Sequence, residues 1–306
     1  MGQSSLRIAG LLAACLASSS ALCIEPAPGQ GEPRYAVTTT TQRSGRIAVP
    51  VTINGSGPYR FLLDTGANRS TVTARLAAQL DMPVRARPII VQGVNGRVEA
   101  RVATIAGMKI GEVDVGAREL PILDGEVFEG LDGSLGADLL AGLRLTADFV
   151  HDTVTIDARH GPVDLAYSGI IKARKVSGWL VQAEGRARAS GFRMVLDTGA
   201  ARTLGNEALY RALTGRALAE SAALRIAVND ATETRGQGLA VSVSPIVLGN
   251  LVIENTTVAF GDFPVFARWG LERKPALLLG MDVLGTLRQV TIDYAREEII
   301  VQPRLN

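Results

Sequence analysis

The sequence predicts an all-β protein built from two similar lobes that carry a few short helices. Valine, isoleucine and threonine cluster in short runs between turn residues, and the 306-residue chain contains 33 glycines. The same order of segments also occurs twice along the chain, which is the pattern that an internal duplication leaves. A chain of this length can form two lobes of ordinary domain size with their own cores.

Composition and charge exclude several classes of protein. Apolar residues make up 47% of the chain and charged residues 20%, as in an ordered globular protein. The net charge is +2 with both signs interspersed, so the chain has no basic footprint for binding nucleic acid. The two histidines, His151 and His160, are isolated from one another. They predict surface imidazoles rather than a metal site, and we expect no cofactor.

The first 23 residues predict an export signal. Arg7 precedes an apolar run over residues 8–17, and the small residues 18–21 suit a cleavage site. A second interpretation is a lipoprotein signal, because Leu12-Ala-Ala-Cys15 resembles a lipobox. We therefore expect a periplasmic or extracellular protein, with a lipid anchor at Cys15 under the second interpretation. No other apolar run approaches the length of a membrane span.

The body of the chain lacks cysteine, because Cys15 and Cys23 both lie in the leader. It therefore has neither a disulfide nor a cysteine nucleophile. Residues 24–34 are rich in proline and glycine and predict a linker. The remainder is expected to divide into an N-terminal lobe, residues 35–160, and a C-terminal lobe, residues 161–306.

Each lobe is predicted to open with a β-hairpin whose second strand runs into Asp-Thr-Gly-Ala. The predicted strands are Ile47–Ile53 and Tyr59–Leu63 in the first lobe, and Trp179–Ala183 and Phe192–Leu196 in the second.

A short amphipathic helix is predicted after each hairpin. In the first lobe Leu76 and Leu80 lie four residues apart, on one face of a helix. In the second lobe Leu209 and Leu213 have the same spacing, and Asn206 before them can cap the helix.

Both lobes then continue in the same order. Strands surround a turn, at residues 89–105 and 224–241, and an apolar-Gly-x-Asp-x-Leu segment follows, at 135–140 and 279–284. Each lobe ends in a strand pair broken by a charged turn, at 145–156 and 289–301.

The repeated Asp-Thr-Gly-Ala segments carry the functional signal. Asp197 follows Asp64 by 133 residues, and a hydroxyl stands six positions after each, at Ser70 and Thr203. One Asp-Thr-Gly arises by chance in roughly one such chain in ten, and alone it indicates a strand-ending turn. Two copies with the same context should arise on the order of once in ten thousand chains. They indicate two equivalent loops that present their carboxylates to each other.

Together these motifs resemble the retropepsin-like aspartic proteases, in a bacterial exported form with two tandem halves. The resemblance covers nearly the whole mature chain. It implies two β-barrel lobes with the active site in the cleft between them, and a peptide or protein substrate. Halves in that family often pair between chains. Two tandem halves instead imply a monomer with pseudo-two-fold symmetry, although pairing between chains stays open.

The resemblance implies that Asp64 and Asp197 form the catalytic dyad of an endopeptidase. Like charges at close range cannot both ionise cheaply, so the pair shares one proton. The ionised carboxylate takes a proton from a bound water while the protonated one polarises the peptide carbonyl.

The remaining residues of both loops are expected to support the dyad. The threonines would lock the loops together, the glycines would allow a tight turn, and alanine stands where pepsins carry serine or threonine. That difference removes a donor from the carboxylates and predicts a less acidic pH optimum than that of pepsin. These supporting residues are Thr65, Gly66, Ala67, Thr198, Gly199 and Ala200.

The turns at residues 93–96 and 229–231 are candidate flaps over the substrate. The first, Gly93-Val94-Asn95-Gly96, is bounded by glycines, as a flexible tip requires. The second begins with Asn229 and Asp230 and lacks glycine, so a flap and an ordinary surface loop are both open. The resemblance also implies that Asp138 and Asp282, in the Gly-x-Asp-x-Leu segments, are structural rather than catalytic.

The main alternative is a cell-envelope protein that binds peptides on this fold without cleaving them. Both Asp-Thr-Gly loops are intact, which favours the enzyme. Other enzyme classes lack their motifs, because the chain has no Gly-x-Ser-x-Gly, His-Glu-x-x-His or phosphate-loop sequence.

Overall fold

The computed structural model describes residues 35–41, 44–157, 169–220 and 224–304. The predicted export signal, the linker and the boundary between lobes at residues 160 and 161 lie outside the described residues. Among the described residues, no helix has the length and apolar character needed to span a membrane.

Strands dominate both halves, and we name them in chain order. The strands of the first half are β1 (Tyr35–Thr38), β2 (Thr40–Thr41), β3 (Ile47–Ile53), β4 (Ser56–Leu63), β5 (Thr71–Val72), β6 (Ile89–Gln92), β7 (Arg97–Ala100), β8 (Val102–Ile105), β9 (Met108–Ile110), β10 (Val113–Asp114), β11 (Arg118–Pro121), β12 (Gly133–Leu135), β13 (Arg144–Asp148) and β14 (Thr153–Asp157). Those of the second half are β15 (Gly169–Val176), β16 (Leu180–Ala187), β17 (Ser190–Leu196), β18 (Leu204–Gly205), β19 (Arg225–Asn229), β20 (Arg235–Val243), β21 (Ile246–Leu248), β22 (Leu251–Ile253), β23 (Thr256–Phe260), β24 (Ala276–Leu279), β25 (Gln289–Asp293) and β26 (Glu298–Gln302).

The helices of the described residues are short. They are α1 (Ala74–Gln79), α2 (Glu207–Thr214), α3 (Pro264–Arg268) and α4 (Met281–Leu284), with single 3₁₀ turns at Glu126–Phe128, Ala137–Leu139 and Leu218–Glu220. The two predicted helices are confirmed as α1 and α2. The predicted cap is present, because Asn206 accepts a hydrogen bond from the Leu209 N–H at 2.9 Å. Gly215, with φ of +72°, ends α2 in the left-handed conformation that favours glycine.

Both predicted opening hairpins are confirmed, as β3–β4 and β16–β17. Each second strand has a parallel neighbour, β12 beside β4 and β24 beside β17. The N–H of Asp64 donates to Leu135 O, and that of Asp197 donates to Leu279 O, both at 2.9 Å. Each Asp-Thr-Gly-Ala loop therefore starts beside the strand that leads into its own Gly-x-Asp-x-Leu segment.

The described strands form two large sheets and two short ribbons. The 7-stranded sheet has the order β10-β9-β3-β4-β12-β5, with β2 on β3. The 15-stranded sheet has the order β1-β14-β13-β25-β26-β15-β16-β17-β24-β18-β23-β20-β19, with β21 and β22 added at β16. The ribbons are β8–β11 and β6–β7.

The predicted all-β fold with two lobes and few short helices is confirmed, but the two large sheets do not close into barrels. The reason is visible at β13 and β14, the last strands of the first half. Instead of closing their own sheet, they join the second half through an antiparallel pair between β13 and β25. Thr146 lies opposite Thr291 in this pair, and their hydroxyl oxygens are 3.0 Å apart. The result is a six-stranded region, β1-β14-β13-β25-β26-β15, shared by both halves.

Side-chain alternation along β4 divides the core of the first half. Phe61 and Leu63 point into the main core, which extends through both halves. Leu62 points to the other face, where it joins a small cluster with Phe128 and Leu131 beneath the β6–β7 hairpin. The strand that delivers Asp64 is thus packed on both faces.

Candidate active site

Asp64 and Asp197 lie side by side where the two halves meet. Their carboxyl groups are hydrogen-bond partners. Each carboxylate also packs against the glycine of the opposite loop. Any side chain at Gly66 would overlap the carboxylate of Asp197, and any side chain at Gly199 would overlap that of Asp64. Glycine is therefore required at both positions for this close approach.

Thr65 and Thr198 hold the two loops together through a symmetric set of hydrogen bonds. The N–H of Thr65 donates to Thr198 Oγ1 at 3.2 Å, and the N–H of Thr198 donates to Thr65 Oγ1 at 3.1 Å. The Thr65 hydroxyl donates to Leu196 O at 2.8 Å, and the Thr198 hydroxyl to Leu63 O at 2.6 Å. Both threonines are buried, so these bonds are shielded from water.

The N–H groups of the loops favour charge on Asp197 over charge on Asp64. Asp197 Oδ1 accepts from the N–H of Gly199 at 2.8 Å and of Ala200 at 3.0 Å. Asp64 Oδ1 accepts from the N–H of Gly66 at 3.2 Å, and the Ala67 N–H also favours its charge. The shorter hydrogen bonds to Asp197 stabilise an ionised carboxylate more.

Burial sets the protonation of this pair. It raises the pKa of Asp64 well above its ordinary value, and the neighbouring charge of Asp197 raises it further. Burial also raises the pKa of Asp197, but the N–H groups of Gly199 and Ala200 oppose that rise. The two carboxyls therefore titrate as a coupled pair, in which the hydrogen bonds to Asp197 favour its ionised form.

Each loop is braced from below by its Gly-x-Asp-x-Leu segment. Asp138 accepts from the Ser70 hydroxyl at 2.7 Å and from its N–H at 2.9 Å. Asp282 accepts from the Thr203 hydroxyl at 2.7 Å and from its N–H at 3.0 Å. These carboxylates are occupied by the loops that they support. The hydroxyls six residues after each Asp are their partners.

The two alanines of the loops are fixed in the same way. Ala67 O accepts from the Ala137 N–H, and Ala200 O accepts from the Met281 N–H, both at 2.8 Å.

Arg46 was missed by the sequence analysis. Its buried guanidinium forms an ion pair with Glu129 at 2.8 Å and donates to Val127 O at 2.5 Å. It also reaches the second half, where it donates to Gly199 O at 3.3 Å. Its positive charge opposes the rise in pKa of both dyad carboxyls.

A repeat signal could have revealed this position. Ser44-Gly-Arg46 and Ser177-Gly-Trp179 are 133 residues apart, the same spacing as the two Asp residues. The second copy also contacts the loop of the opposite half, because the Trp179 N–H donates to Asn68 Oδ1 at 3.0 Å.

The two candidate flaps meet at their tips. β6–β7 carries the first tip, where the Gly93 N–H donates to Gly96 O at 2.8 Å. β19–β20 carries the second. The Asn95 N–H donates to Asp230 Oδ2 at 2.7 Å, and the Asn95 amide donates to Val228 O at 2.7 Å and Thr234 O at 2.9 Å.

Two further residues hold these tips in place, and the sequence pattern predicted a role for neither. Thr232 donates to Asp230 Oδ1 from its N–H at 2.9 Å and its hydroxyl at 2.7 Å. Arg268, at the end of α3, donates to Gln92 O at 2.9 Å and Gly93 O at 2.6 Å. We call Asn95, Asp230, Thr232 and Arg268 the flap clasp.

A cavity of about 670 Å³ lies between the dyad and the flap clasp. Its lining includes the predicted flap residues Gly93, Val94, Asn229 and Asp230, together with Asp64 and Asp197. The second candidate flap therefore covers the same cavity as the first. Among the described residues, no group of three or more His, Cys, Asp or Glu side chains could hold a metal ion.

Comparison of the sequence with known protein families identifies one matching family. The family described as Aspartyl protease matches residues 49–139 and 181–283, which together make up more than half of the chain. The chain belongs to this family. Each matched segment begins in an opening hairpin and ends in a Gly-x-Asp-x-Leu segment. The predicted resemblance to retropepsin-like proteases with two tandem halves is thereby confirmed.

This aspartyl protease family member also shares its fold with proteins of known structure. It is similar to the aspartic proteinase from Irpex lacteus, with a TM-score of 0.55 and 14% sequence identity. The match covers 89% of this chain and 97% of the Irpex lacteus chain. At this identity the likeness concerns the fold alone. No curated protein matches this sequence significantly.

Proposed function

We propose that this protein is an aspartic endopeptidase whose dyad is Asp64 and Asp197. One observation carries the proposal: two intact Asp-Thr-Gly loops face each other, with hydrogen-bonded carboxyl groups packed against the opposite glycines. The cavity above them is bounded by two hairpin tips, which suits an extended peptide.

The unequal surroundings of the two carboxyls assign their roles. Asp197, with two N–H donors on one oxygen, is the ionised base that takes a proton from the attacking water. Asp64 holds the shared proton and donates a hydrogen bond to the peptide carbonyl, while the water oxygen adds to the carbonyl carbon to form the tetrahedral intermediate. Asp197 then gives the proton taken from water to the leaving nitrogen as the C–N bond breaks, so the dyad returns to its singly protonated state.

The first test is proteolysis of a denatured protein mixture between pH 3 and 8. Wild type is compared with Asp64→Asn and Asp197→Asn, which keep the shape of the side chain and remove its ionisation. We expect each change to reduce cleavage by at least about 10²- to 10⁴-fold, because acid–base catalysis is lost. Asp81→Asn, at an exposed acid outside the cleft, is the matched control and should cleave normally.

Cleavage that survives either dyad substitution would contradict the proposed roles. If wild type cleaves nothing under any condition, the endopeptidase proposal fails. The peptide-binding envelope protein would then be the better hypothesis, and retention of labelled peptides by the wild-type protein would test it.

We also propose that the protein acts outside the cytoplasm, as a monomer. The leader sequence supports export, and the tandem halves supply both carboxylates from one chain. Cell fractionation of wild type and Cys15→Ser separates the two leader interpretations, since only a lipoprotein would leave the membrane fraction on this change. The solution mass of the mature chain tests the monomer.

A further inference from the structure

Two arginines occupy equivalent positions on the two Asp-Thr-Gly loops. Arg69 and Arg202 each stand five residues after the Asp of their loop. Both side chains are exposed, and both residues line the cavity above the dyad. Because the two loops are equivalent about the dyad, the pseudo-two-fold arrangement relates Arg69 on one side of the dyad to Arg202 on the other.

The backbone at both arginines is held rigidly. Ser70 and Thr203, the next residues, are bound through their N–H and hydroxyl groups to Asp138 and Asp282. A side chain at Gly136 would come within 2.7 Å of the Arg69 backbone, and one at Gly280 within 2.5 Å of the Arg202 backbone. Each arginine therefore extends from a fixed point, as a side chain that determines specificity requires.

Neither guanidinium has a hydrogen bond or ion pair within the described part of the chain. The other arginines of the cleft are occupied, because Arg46 binds Glu129 and Arg268 binds the carbonyls of the first flap. Among the acids that line the described cleft, outside the dyad, only Glu126 lacks a hydrogen bond or ion pair. Each half of the cleft thus presents an exposed arginine that has no protein partner within the described residues.

We propose that Arg69 and Arg202 select peptides that carry an acidic side chain on each side of the scissile bond. This inference rests on the proposed function, since it names the substrate class of the same site. A guanidinium binds a carboxylate through two parallel hydrogen bonds, which gives direction as well as attraction. An extended peptide that crosses the dyad would meet one arginine a few residues before the cut and the other a few residues after it.

The test is a cleavage-site profile on a peptide library. Wild type should enrich glutamate and aspartate on both sides of the cut. Arg69→Gln should remove the enrichment on one side and Arg202→Gln on the other, each lowering kcat/KM for acidic peptides about three- to tenfold. Arg69→Glu should favour lysine and arginine on the affected side only, an outcome that a general structural defect would not produce.

Two control variants complete the profile. Arg87→Gln, at an exposed arginine outside the cleft, should leave the profile unchanged. Glu126→Gln removes the acid of opposite sign from the cleft and should leave the acidic preference in place. A wild-type profile without acidic enrichment, or Arg69→Gln and Arg202→Gln profiles equal to that of Arg87→Gln, would overturn the inference.

A binding measurement separates this inference from the proposed function. The Asp64→Asn protein is titrated with a labelled decapeptide whose central Phe-Leu pair is flanked on each side by glutamates, and with its glutamine counterpart. We expect tighter binding of the glutamate peptide, weakening as salt screens the charges. Equal binding of both peptides overturns the inference even if wild type cleaves proteins. Preferential binding without turnover by wild type supports the arginine site and rejects the endopeptidase.

Discussion

Asp64 and Asp197 stand at equivalent positions of a duplicated sequence, yet their surroundings differ. Asp197 is 6% exposed and accepts two short hydrogen bonds from its own loop. Asp64 accepts a longer one, and burial together with the neighbouring charge of Asp197 raises its pKa. Under the proposed function, these differences in donors would divide the acid and base roles between two identical residue types.

The raised pKa of Asp64 predicts the pH range in which the protein is active. Activity requires one shared proton, so a raised upper apparent pKa keeps the dyad singly protonated further toward neutral pH. We expect activity at less acidic pH than that of pepsin, and activity confined below about pH 3 would contradict this.

The variant Ala200→Ser tests whether the missing hydroxyl donor sets this pH range. A hydroxyl beside the carboxylates favours their ionised form, so both apparent pKa values fall and the pH–rate profile moves to lower pH. Ala201→Ser, one residue further along the same cleft-lining loop, is the matched control and should leave the profile in place. An unmoved profile in Ala200→Ser would mean that the missing donor does not set the pH range.

At the scale of elements, the β6–β7 and β19–β20 hairpins together cover the cavity, and hydrogen bonds join their tips. Asp230 is 7% exposed and accepts hydrogen bonds from both tips, from Asn95 of the first and Thr232 of the second. Arg268 adds two bonds from α3 to the first tip. Under the proposed function, a peptide that enters between the tips would break these bonds, so we expect the clasp to couple substrate binding to hairpin motion.

Asp230→Ala should loosen both tips. It removes the shared acceptor, so amide hydrogen exchange should rise within residues 89–100 and 225–243, and kcat/KM should fall through a raised KM. Glu233→Ala, at an exposed acid of the same tip, is the matched control. Exchange that rises in the second hairpin alone would show that the tips move independently.

The whole molecule is joined by the six-stranded region between the halves. At its centre Arg144 of β13 binds Asp293 of β25, with Nε–Oδ2 and Nη2–Oδ2 distances of 3.1 and 3.0 Å. Their side chains are only 5% and 1% exposed. Because the dyad takes one carboxyl from each half, this shared sheet also maintains the geometry of the site.

Arg144→Met should destabilise the fold strongly. The change removes the buried counter-ion of Asp293, whose Oδ1 still accepts from the N–H groups of Ala295 and Arg296 at 3.1 and 2.9 Å. We expect a cost near the lower end of the roughly 3–5 kcal/mol typical of a broken buried ion pair, measured as the free energy of unfolding. Arg85→Gln breaks the exposed Arg85–Glu119 pair and should cost less than about 1 kcal/mol. Denaturant unfolding measures both. Adding Asp293→Asn to Arg144→Met removes the unpaired charge and keeps an acceptor for the N–H groups of Ala295 and Arg296. It should recover part of the loss, and no recovery would mean that the pair is not the cause.

The sequence by itself determined the features that depend on contiguous residues. The opening hairpins, the Asn206 cap, the two tandem halves and the pairing of two Asp-Thr-Gly loops all follow from local patterns and their repetition. The tertiary structure alone decided the open sheets, the placement of Arg46 against Gly199, and the clasp that Asp230 and Arg268 build on the first flap. These depend on strand pairing and on contacts between residues more than a hundred positions apart. A local pattern in one lobe does not specify which surface of the other it will meet.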